Sequence, residues 1–235
     1  MFCLHYAPDN ASMIIRLTLE ELKVPYRCAL VDRKANAQRA EHYTSLNPRG
    51  LIPVLETPDG AIFETAAILL WLSEQHNAMA PAPNSPERGT FLKWLIYVSN
   101  GLHTDLRQLF YPNQYVGSEQ SLQDQFFEIT SARVIENLTH LEDLSTQGHS
   151  WFNAPLSNGS PSIFDYYVAL CLRWLALYPQ NRAGWFDLRN FPNLFAFAQR
   201  LEQHPTAVTA CAAEGLGSTP FSAPSYATPK EGSAT

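Results

Sequence analysis

A carboxylate and a hydroxyl stand side by side at Glu64 and Thr65, where a strand pattern gives way to a helix pattern. The segment AIFE is typical of a strand, and TAAILLWLSEQH is typical of a helix that begins at Thr65. The first amides of a helix have no partner inside it, so together with the Thr65 hydroxyl they form a place for an anion. A plain helix cap is the commoner role for such a threonine, and both roles can hold together.

Pro53 stands near the start of IPVLE, which otherwise has the pattern of a strand. Proline has no N–H for a strand ladder, so it is confined to edge strands, strand starts and bulges. The segments IPVLE and AIFE flank TPDG, a turn sequence, and together they predict a β-hairpin. Pro53 therefore either only begins an edge strand or shapes a site beside it.

Charge and composition argue against several classes of function. The 235 residues carry a net charge of −6 with scattered lysines and arginines, which argues against nucleic acid or an anionic membrane as the main partner. The four cysteines lie far apart, without C-x-x-C or metal-ligand spacing to histidine, so we expect neither disulfides nor a metal. No apolar stretch approaches the roughly 20 residues of a spanning helix, and no signal-peptide pattern opens the chain. We expect a cytoplasmic protein whose partner is a small molecule or another protein.

The periodicity of the chain predicts two domains. Residues 1–79 have the order β-α-β-α-β-β-α, in which a parallel crossover and an antiparallel hairpin share one small sheet. A proline-rich linker at 80–87 leads to an all-helical domain at 88–214. Its helices are predicted at about 88–110, 119–146, 162–178 and 191–203. The last segment, 215–235, is rich in Gly, Ser, Ala, Pro and Thr, and we expect it to be a flexible tail.

Three motifs in this order resemble those of the cytosolic glutathione S-transferase family. NPRGLIPVLE resembles the family's N-P-x-G-x-(V/I)-P-x-L motif, FETAAILLWLSE its Glu-Ser or Glu-Thr motif, and SIFD its helix-capping S/T-x-x-D motif. The resemblance covers about residues 2–214 and implies a thioredoxin-like α/β domain followed by a helical bundle. It also implies an enzyme that uses glutathione as a co-substrate without a metal, acts on a small electrophile, and is commonly a homodimer.

The resemblance implies roles for the glutathione-binding residues. In the family the peptide bond before this proline is cis, so Pro53 is expected to begin the strand and to turn the backbone N–H and C=O of Ile52 toward the cysteinyl part of glutathione. Thr65 is expected to take the γ-glutamyl carboxylate, and Glu64 its ammonium group. The positions that contact the glycine carboxylate are Gln38 and Arg39.

Activation of the thiol is expected from YAPDNASM, between the first strand and the first helix. Aligned with the family, Ala11 lies where cysteine-type bacterial members carry their cysteine, and Asn10 lies where serine-type members carry their hydroxyl. Tyr6 lacks the surroundings of the tyrosine in tyrosine-type members. We rank the Asn10 amide first as the donor to the sulfur, as in some Ure2-like members, and the Ser12 hydroxyl second. An ordinary helix cap is the alternative for either residue.

The second substrate is expected to lie over the helical domain. In WLIYVSNGLHTDLRQLFYP, polar and aromatic residues recur near helical spacing, so several should face the cleft: Tyr97, His103, Arg107 and Tyr111. For His103 a structural role is the alternative.

The leading hypothesis is a glutathione transferase. Two others stay open, a glutathione-dependent peroxide or disulfide reductase and a non-catalytic glutathione-binding or interaction protein.

Overall fold

A computed structural model describes residues 1–155, 159–182 and 184–234 of the chain. Its sheet has the strand order β2-β1-β3-β4, in which β1 runs parallel to β2 and β3 runs antiparallel to both β1 and β4. The strands are β1 (Phe2–Tyr6), β2 (Tyr26–Leu30), β3 (Val54–Thr57) and β4 (Gly60–Phe63). The parallel crossover and the hairpin that the sequence predicts are therefore both present.

Three α-helices accompany the sheet, in the predicted order: α1 (Ser12–Glu21), α2 (Glu41–Thr44) and α3 (Thr65–His76). A single 3-10 turn, Ala37–Arg39, precedes α2. The apolar positions of α1 and α3 are buried with those of the strands in one core. Burial of these faces stabilises the helices more than their intrinsic propensities do.

The second half of the described chain is helical. It contains α4 (Arg88–Tyr97), α5 (His103–Phe110), α6 (Asn113–Val116), α7 (Gln120–Leu144), α8 (Ile163–Leu177), α9 (Pro192–Leu201) and α10 (Pro205–Ala213). A π-helical turn, Val98–Leu102, joins α4 to α5. The two helices that the sequence did not predict are α6 and α10. No described helix has both the length and the hydropathy needed to cross a membrane.

Helix α8 lies at the centre of this half and is buried on nearly every side. Its start carries the predicted capping box: Ser162 Oγ accepts from the amide of Asp165 at 3.0 Å, and the Ser162 amide donates to Asp165 Oδ2 at 2.8 Å. Such a cap typically stabilises a helix by about 1 kcal/mol. Helices α8 and α10 pack against α1, which joins the two halves of the chain.

Between the end of α3 and the start of α4, residues 77–87 form neither helix nor strand. The predicted linker at 80–87 lies inside this segment. We retain the division into domains at 1–79 and 88–214 as a proposal.

The prediction of a flexible tail is wrong for residues 215–234; Thr235 lies outside the described residues. Phe221 is fully buried, and the Tyr226 hydroxyl donates to the carbonyl of Leu177 at 3.0 Å. Arg173, on α8, donates to three tail carbonyls, those of Leu216, Pro220 and Ser225. A buried arginine thus provides donors to the tail backbone, and Leu216 and Phe221 are its fully buried apolar residues.

Candidate active site

A cleft of about 590 Å³ lies where the sheet meets the helical half of the chain. Its walls come from the loop after β1, the segment before β3, the start of α3, and helices α5 and α8. This volume is in the range of sites for small molecules.

The segment before β3 brings a free stretch of backbone to the cleft. The Ile52–Pro53 peptide bond is cis, and both residues line the cleft. The preceding carbonyl, of Leu51, accepts hydrogen bonds of 2.8 Å from Tyr43 Oη and Asn47 Nδ2, which fixes the segment. Within the described ranges the backbone of Ile52 has no hydrogen-bond partner. Its N–H and C=O are therefore available to an extended ligand.

Gln38 and Arg39 line the same side of the cleft. Gln38 Oε1 is buried and has no hydrogen-bond partner among the described residues, so it can accept from a ligand. Arg39 Nη1 donates to the carbonyl of Arg49 at 3.2 Å. Gly50 lets the two loops approach, because its φ is +59° and a Cβ there would lie 2.6 Å from the Gln38 carbonyl oxygen.

Glu64 and Thr65 occupy the predicted junction, since β4 ends at Phe63 and α3 begins at Thr65. Glu64 has φ +70°, a conformation that typically costs a non-glycine residue about 1–3 kcal/mol and is concentrated at functional sites. Its carboxylate is 2.8 Å from Arg49 Nη1, and both side chains are largely exposed. The Thr65 hydroxyl has no partner in the part of the chain described, and Thr65 lines the cleft.

The structure separates the two candidate donors to the sulfur. Asn10 lines the cleft, and its Oδ1 accepts from the Ala11 amide at 2.8 Å. A backbone N–H can only donate, so this bond identifies the oxygen and leaves Nδ2 without a partner among the described residues. Ser12 is fully buried and outside the cleft wall, with its hydroxyl donating to the Ala7 carbonyl (3.1 Å) and accepting from the Ala7 amide (3.3 Å). The Ser12 hydroxyl closes the loop instead of facing the cleft, which favours Asn10 as the donor; the catalytic role of either residue stays a prediction.

On the helical side, His103, Arg107 and Tyr111 line the cleft as predicted, but Tyr97 does not. The Tyr97 hydroxyl instead donates to Asn137 Oδ1 of α7 at 2.5 Å. Tyr97 lies outside the cleft wall because it stands six positions before His103, whereas residues share one face of a helix at spacings of three, four or seven.

The imidazole of His103 is held neutral. Burial and, to a smaller extent, the nearby positive charge of Arg107 together lower the pKa of His103 to about 4. The His103 Nδ1 is 2.8 Å from the Tyr167 hydroxyl, and its ring centroid is 5.5 Å from that of Trp174. At neutral pH the uncharged His103 ring can therefore form hydrogen bonds to a substrate, but it does not place a positive charge beside it.

Sequence reasoning missed Asp9, which adjoins Asn10 and lines the cleft wall. Its carboxylate accepts from Trp174 Nε1 at 3.1 Å and is paired with the buried guanidinium of Arg173. Its amide donates to Glu214 Oε2 at 2.9 Å. The sequence does contain a signal for this pair, because Arg173 stands inside the apolar run VALCLRWLAL and a buried arginine needs an acidic partner. The sequence could not show which acid that is, since Asp9 lies 164 residues away.

A second polar cluster lies outside the cleft. Cys3, His5 and Glu56 bring possible metal ligands within 4.8 Å of one another. His5 Nε2 is 2.7 Å from Glu56 Oε1, which also lies 3.7 Å from Arg27 Nη2. The Glu56 carboxylate therefore already has two partners, His5 and Arg27. The expectation that the protein holds no metal stays a prediction.

Comparison with known proteins shows which family the chain is similar to. The family model for the glutathione S-transferase N-terminal domain matches residues 11–75. Glutathione S-transferase GstA of Escherichia coli O157:H7 is 26% identical and aligns over 91% of this chain and 98% of its own. The structure of a sphingomonad glutathione S-transferase complexed with glutathione has a TM-score of 0.73 at 26% identity, covering 92% of this chain and 100% of that one. Residues 11–75 therefore match a glutathione S-transferase N-terminal domain, and the chain is similar to glutathione S-transferases over about nine-tenths of its length.

The family predicted from three motifs is thus confirmed, as is the glutathione S-transferase fold of a thioredoxin-like region followed by a helical one. The relatives of this chain also include a protein named for different chemistry. Disulfide-bond oxidoreductase YfcG of Escherichia coli K12 is 25% identical over 92% of this chain and 97% of its own.

Proposed function

We propose that this protein is a glutathione transferase, which binds glutathione in the cleft and presents its sulfur to an electrophilic small molecule. The observation that carries the proposal is the convergence of three unpaired polar groups on one cleft: the Ile52 backbone, the Thr65 hydroxyl and the Asn10 amide. An extended peptide with a carboxylate at one end and a thiol in the middle fits this arrangement.

Each part of glutathione has a partner of suitable chemistry. The γ-glutamyl carboxylate would lie at the start of α3, on the Thr65 hydroxyl and the free first-turn amides. Its ammonium group would pair with Glu64, and the cysteinyl part would extend along Ile52 as an added strand does. The charge of Arg39 suits the glycine carboxylate, while the unpaired Gln38 Oε1 suits an N–H of the tripeptide.

Activation of the thiol would rest on Asn10. A thiol with an ordinary pKa of roughly 8.5 must have it lowered by about two units to ionise near neutral pH, which requires about 2.7 kcal/mol. A hydrogen bond from Asn10 Nδ2 to the charged sulfur contributes about 1.5–3 kcal/mol, and the N-terminus of α1 about 0.3–1 kcal/mol. The two together reach the requirement.

The chemical step would be a displacement or an addition by the thiolate. With an aryl halide, the sulfur–carbon bond forms, the carbon–halogen bond breaks, and halide leaves with its bonding electrons. The thiol proton has passed to solvent on ionisation. No side chain needs to transfer a proton, which agrees with a neutral His103.

The name of the YfcG relative favours a second candidate, glutathione-dependent disulfide reduction. Initial rates with glutathione should be measured on a chlorinated dinitroarene and on a mixed disulfide, with glutathione affinity measured in parallel by calorimetry. We expect turnover of the arene. Turnover of the disulfide alone would favour the reductase, and glutathione binding with neither reaction would favour the non-catalytic alternative.

We also propose a homodimer in the cytoplasm. All four cysteines carry free thiols, which suits a reducing compartment. Light scattering should give a mass of twice that of the chain, and the mass of a single chain would contradict the dimer.

A further inference from the structure

We propose that the half of the cleft that receives the second substrate selects aromatic electrophiles carrying a carboxylate or a similar anionic group, and that Arg107 binds this group. The inference rests on the proposed function, because it concerns the substrate that the glutathione sulfur attacks.

The first observation is the lack of an acidic partner for Arg107. Arg107 Nη2 donates to Gln114 Oε1 at 2.9 Å, and the guanidinium carbon lies 5.5 Å from the ring centroid of Tyr111. Both contacts are to uncharged groups. Within the described residues no carboxylate forms an ion pair with Arg107, although the chain as a whole has a net charge of −6.

The acids near this half of the cleft are already paired. Asp105, two residues before Arg107 on α5, is paired with Arg133 of α7. Of the acids that line the cleft, Asp9 pairs with Arg173 and Glu64 pairs with Arg49. The positive charge of Arg107 is therefore left for a ligand.

The second observation is the aromatic wall around this charge. Phe110 and Tyr178 pack with their ring centroids 5.4 Å apart, and the His103 and Trp174 rings lie 5.5 Å apart; all four residues line the cleft. Aromatic walls of this kind favour the binding of a flat apolar ring, which excludes water. A charge-assisted hydrogen bond from a guanidinium to a carboxylate is stronger where water is excluded.

A third observation bounds the far end of this half. Arg33 Nη2 donates to the Tyr111 hydroxyl at 2.9 Å, and Arg33 Nη1 donates to the carbonyl of Ala234 near the end of the tail. Both acceptors are neutral oxygens. Arg33 thus adds a second cation at the same end and holds the tail there.

The test compares two substrates of one shape, chlorodinitrobenzoate and chlorodinitrobenzene, each attacked by the glutathione sulfur with loss of chloride. We expect the wild type to prefer the benzoate in kcat/KM. In Arg107→Gln the ratio of the two kcat/KM values should fall by about tenfold, the size expected for one charge-assisted hydrogen bond, and Arg107→Lys should retain part of the preference. The control is Arg189→Gln, which removes the same charge from a position that is 75% exposed and outside the cleft, and should leave the ratio unchanged.

Binding of dinitrobenzoate, which has no leaving group, gives a readout that needs no turnover. Quenching of tryptophan fluorescence should show affinity about tenfold weaker in Arg107→Gln than in the wild type. An unchanged ratio, or unchanged dinitrobenzoate affinity, overturns the inference. If glutathione binds but the benzoate is not preferred, only this inference fails; if glutathione does not bind to the wild type, the proposed function fails.

Discussion

Arg173 and Asp9 form a fully buried ion pair, with Nε–Oδ1 and Nη2–Oδ2 distances of 2.8 and 2.9 Å. The same guanidinium holds the tail through the carbonyls of Pro220 and Ser225. Because Asp9 adjoins Asn10, one side chain of α8 connects the tail with the loop that carries the candidate donor to the sulfur.

Replacing Arg173 by Met should destabilise the protein by about 3–5 kcal/mol, because the buried Asp9 carboxylate would lose its counter-charge. Urea unfolding at neutral pH measures this loss. The double variant Asp9→Asn with Arg173→Met should recover part of the stability, since the uncompensated charge is then absent. Arg189→Met, at an exposed position, is the matched control. A loss below about 1 kcal/mol for Arg173→Met would show that the pair is not buried as described.

Replacing Phe221 by Ala tests whether the tail belongs to the folded core. Phe221 is fully buried, and truncation of such a side chain typically costs about 3–5 kcal/mol. Val208→Ala, at a position that is 54% exposed, should change the free energy of unfolding by less than about 0.5 kcal/mol. Equal unfolding curves for Phe221→Ala and the wild type would show that the tail does not contribute to the folded core and would support a flexible tail.

Replacing Thr65 by Val keeps the shape of the side chain and removes its hydroxyl. If Thr65 donates to the γ-glutamyl carboxylate, glutathione affinity should fall by about 1.5–3 kcal/mol, or roughly ten- to a hundredfold, in calorimetry. Thr139→Val, on the exposed face of α7, is the control. Unchanged affinity for Thr65→Val would place the γ-glutamyl group elsewhere.

The ring of His103 should titrate with a pKa of about 4 in NMR spectra, assigned by comparison with His103→Asn. Since this pKa lies below the usual value of about 6.5, the unfolded chain takes up the proton first, and the group destabilises the fold as pH falls from about 6.5 to about 4. In Arg107→Gln the pKa of His103 should rise, because a nearby positive charge is removed. If the pKa of His103 fell or stayed the same in Arg107→Gln, the charge of Arg107 would not be what lowers it.

Local features of this fold could be predicted from the sequence. The hairpin turn, the junction of Glu64 and Thr65, and the capping box of Ser162 and Asp165 all depend on residues within a few positions of one another. Short-range hydrogen bonds and fixed turn conformations determine such features, so a sequence pattern is enough to find them.

Features that depend on distant partners were missed. The Ser12 hydroxyl is used by the backbone of Ala7, which only the closed loop reveals. The Tyr97 hydroxyl is used by Asn137 of α7, which lies 40 residues later in the chain. The tail is held by Arg173, some 40 to 50 residues earlier in the chain, so its own composition could not indicate that it would be folded.

The role of Asn10 is the central claim, and an ultraviolet difference titration of the thiolate near saturating glutathione tests it most directly. The wild type should bind glutathione with its thiol pKa about two units below the ordinary value of roughly 8.5. Asn10→Asp keeps the acceptor for the Ala11 amide but removes the donor, so the bound thiol pKa should rise by more than about one unit. Ser12→Ala should leave that pKa where it is in the wild type. An unchanged thiol pKa in Asn10→Asp, or a wild-type complex in which the thiol ionises as it does in free glutathione, would contradict the account.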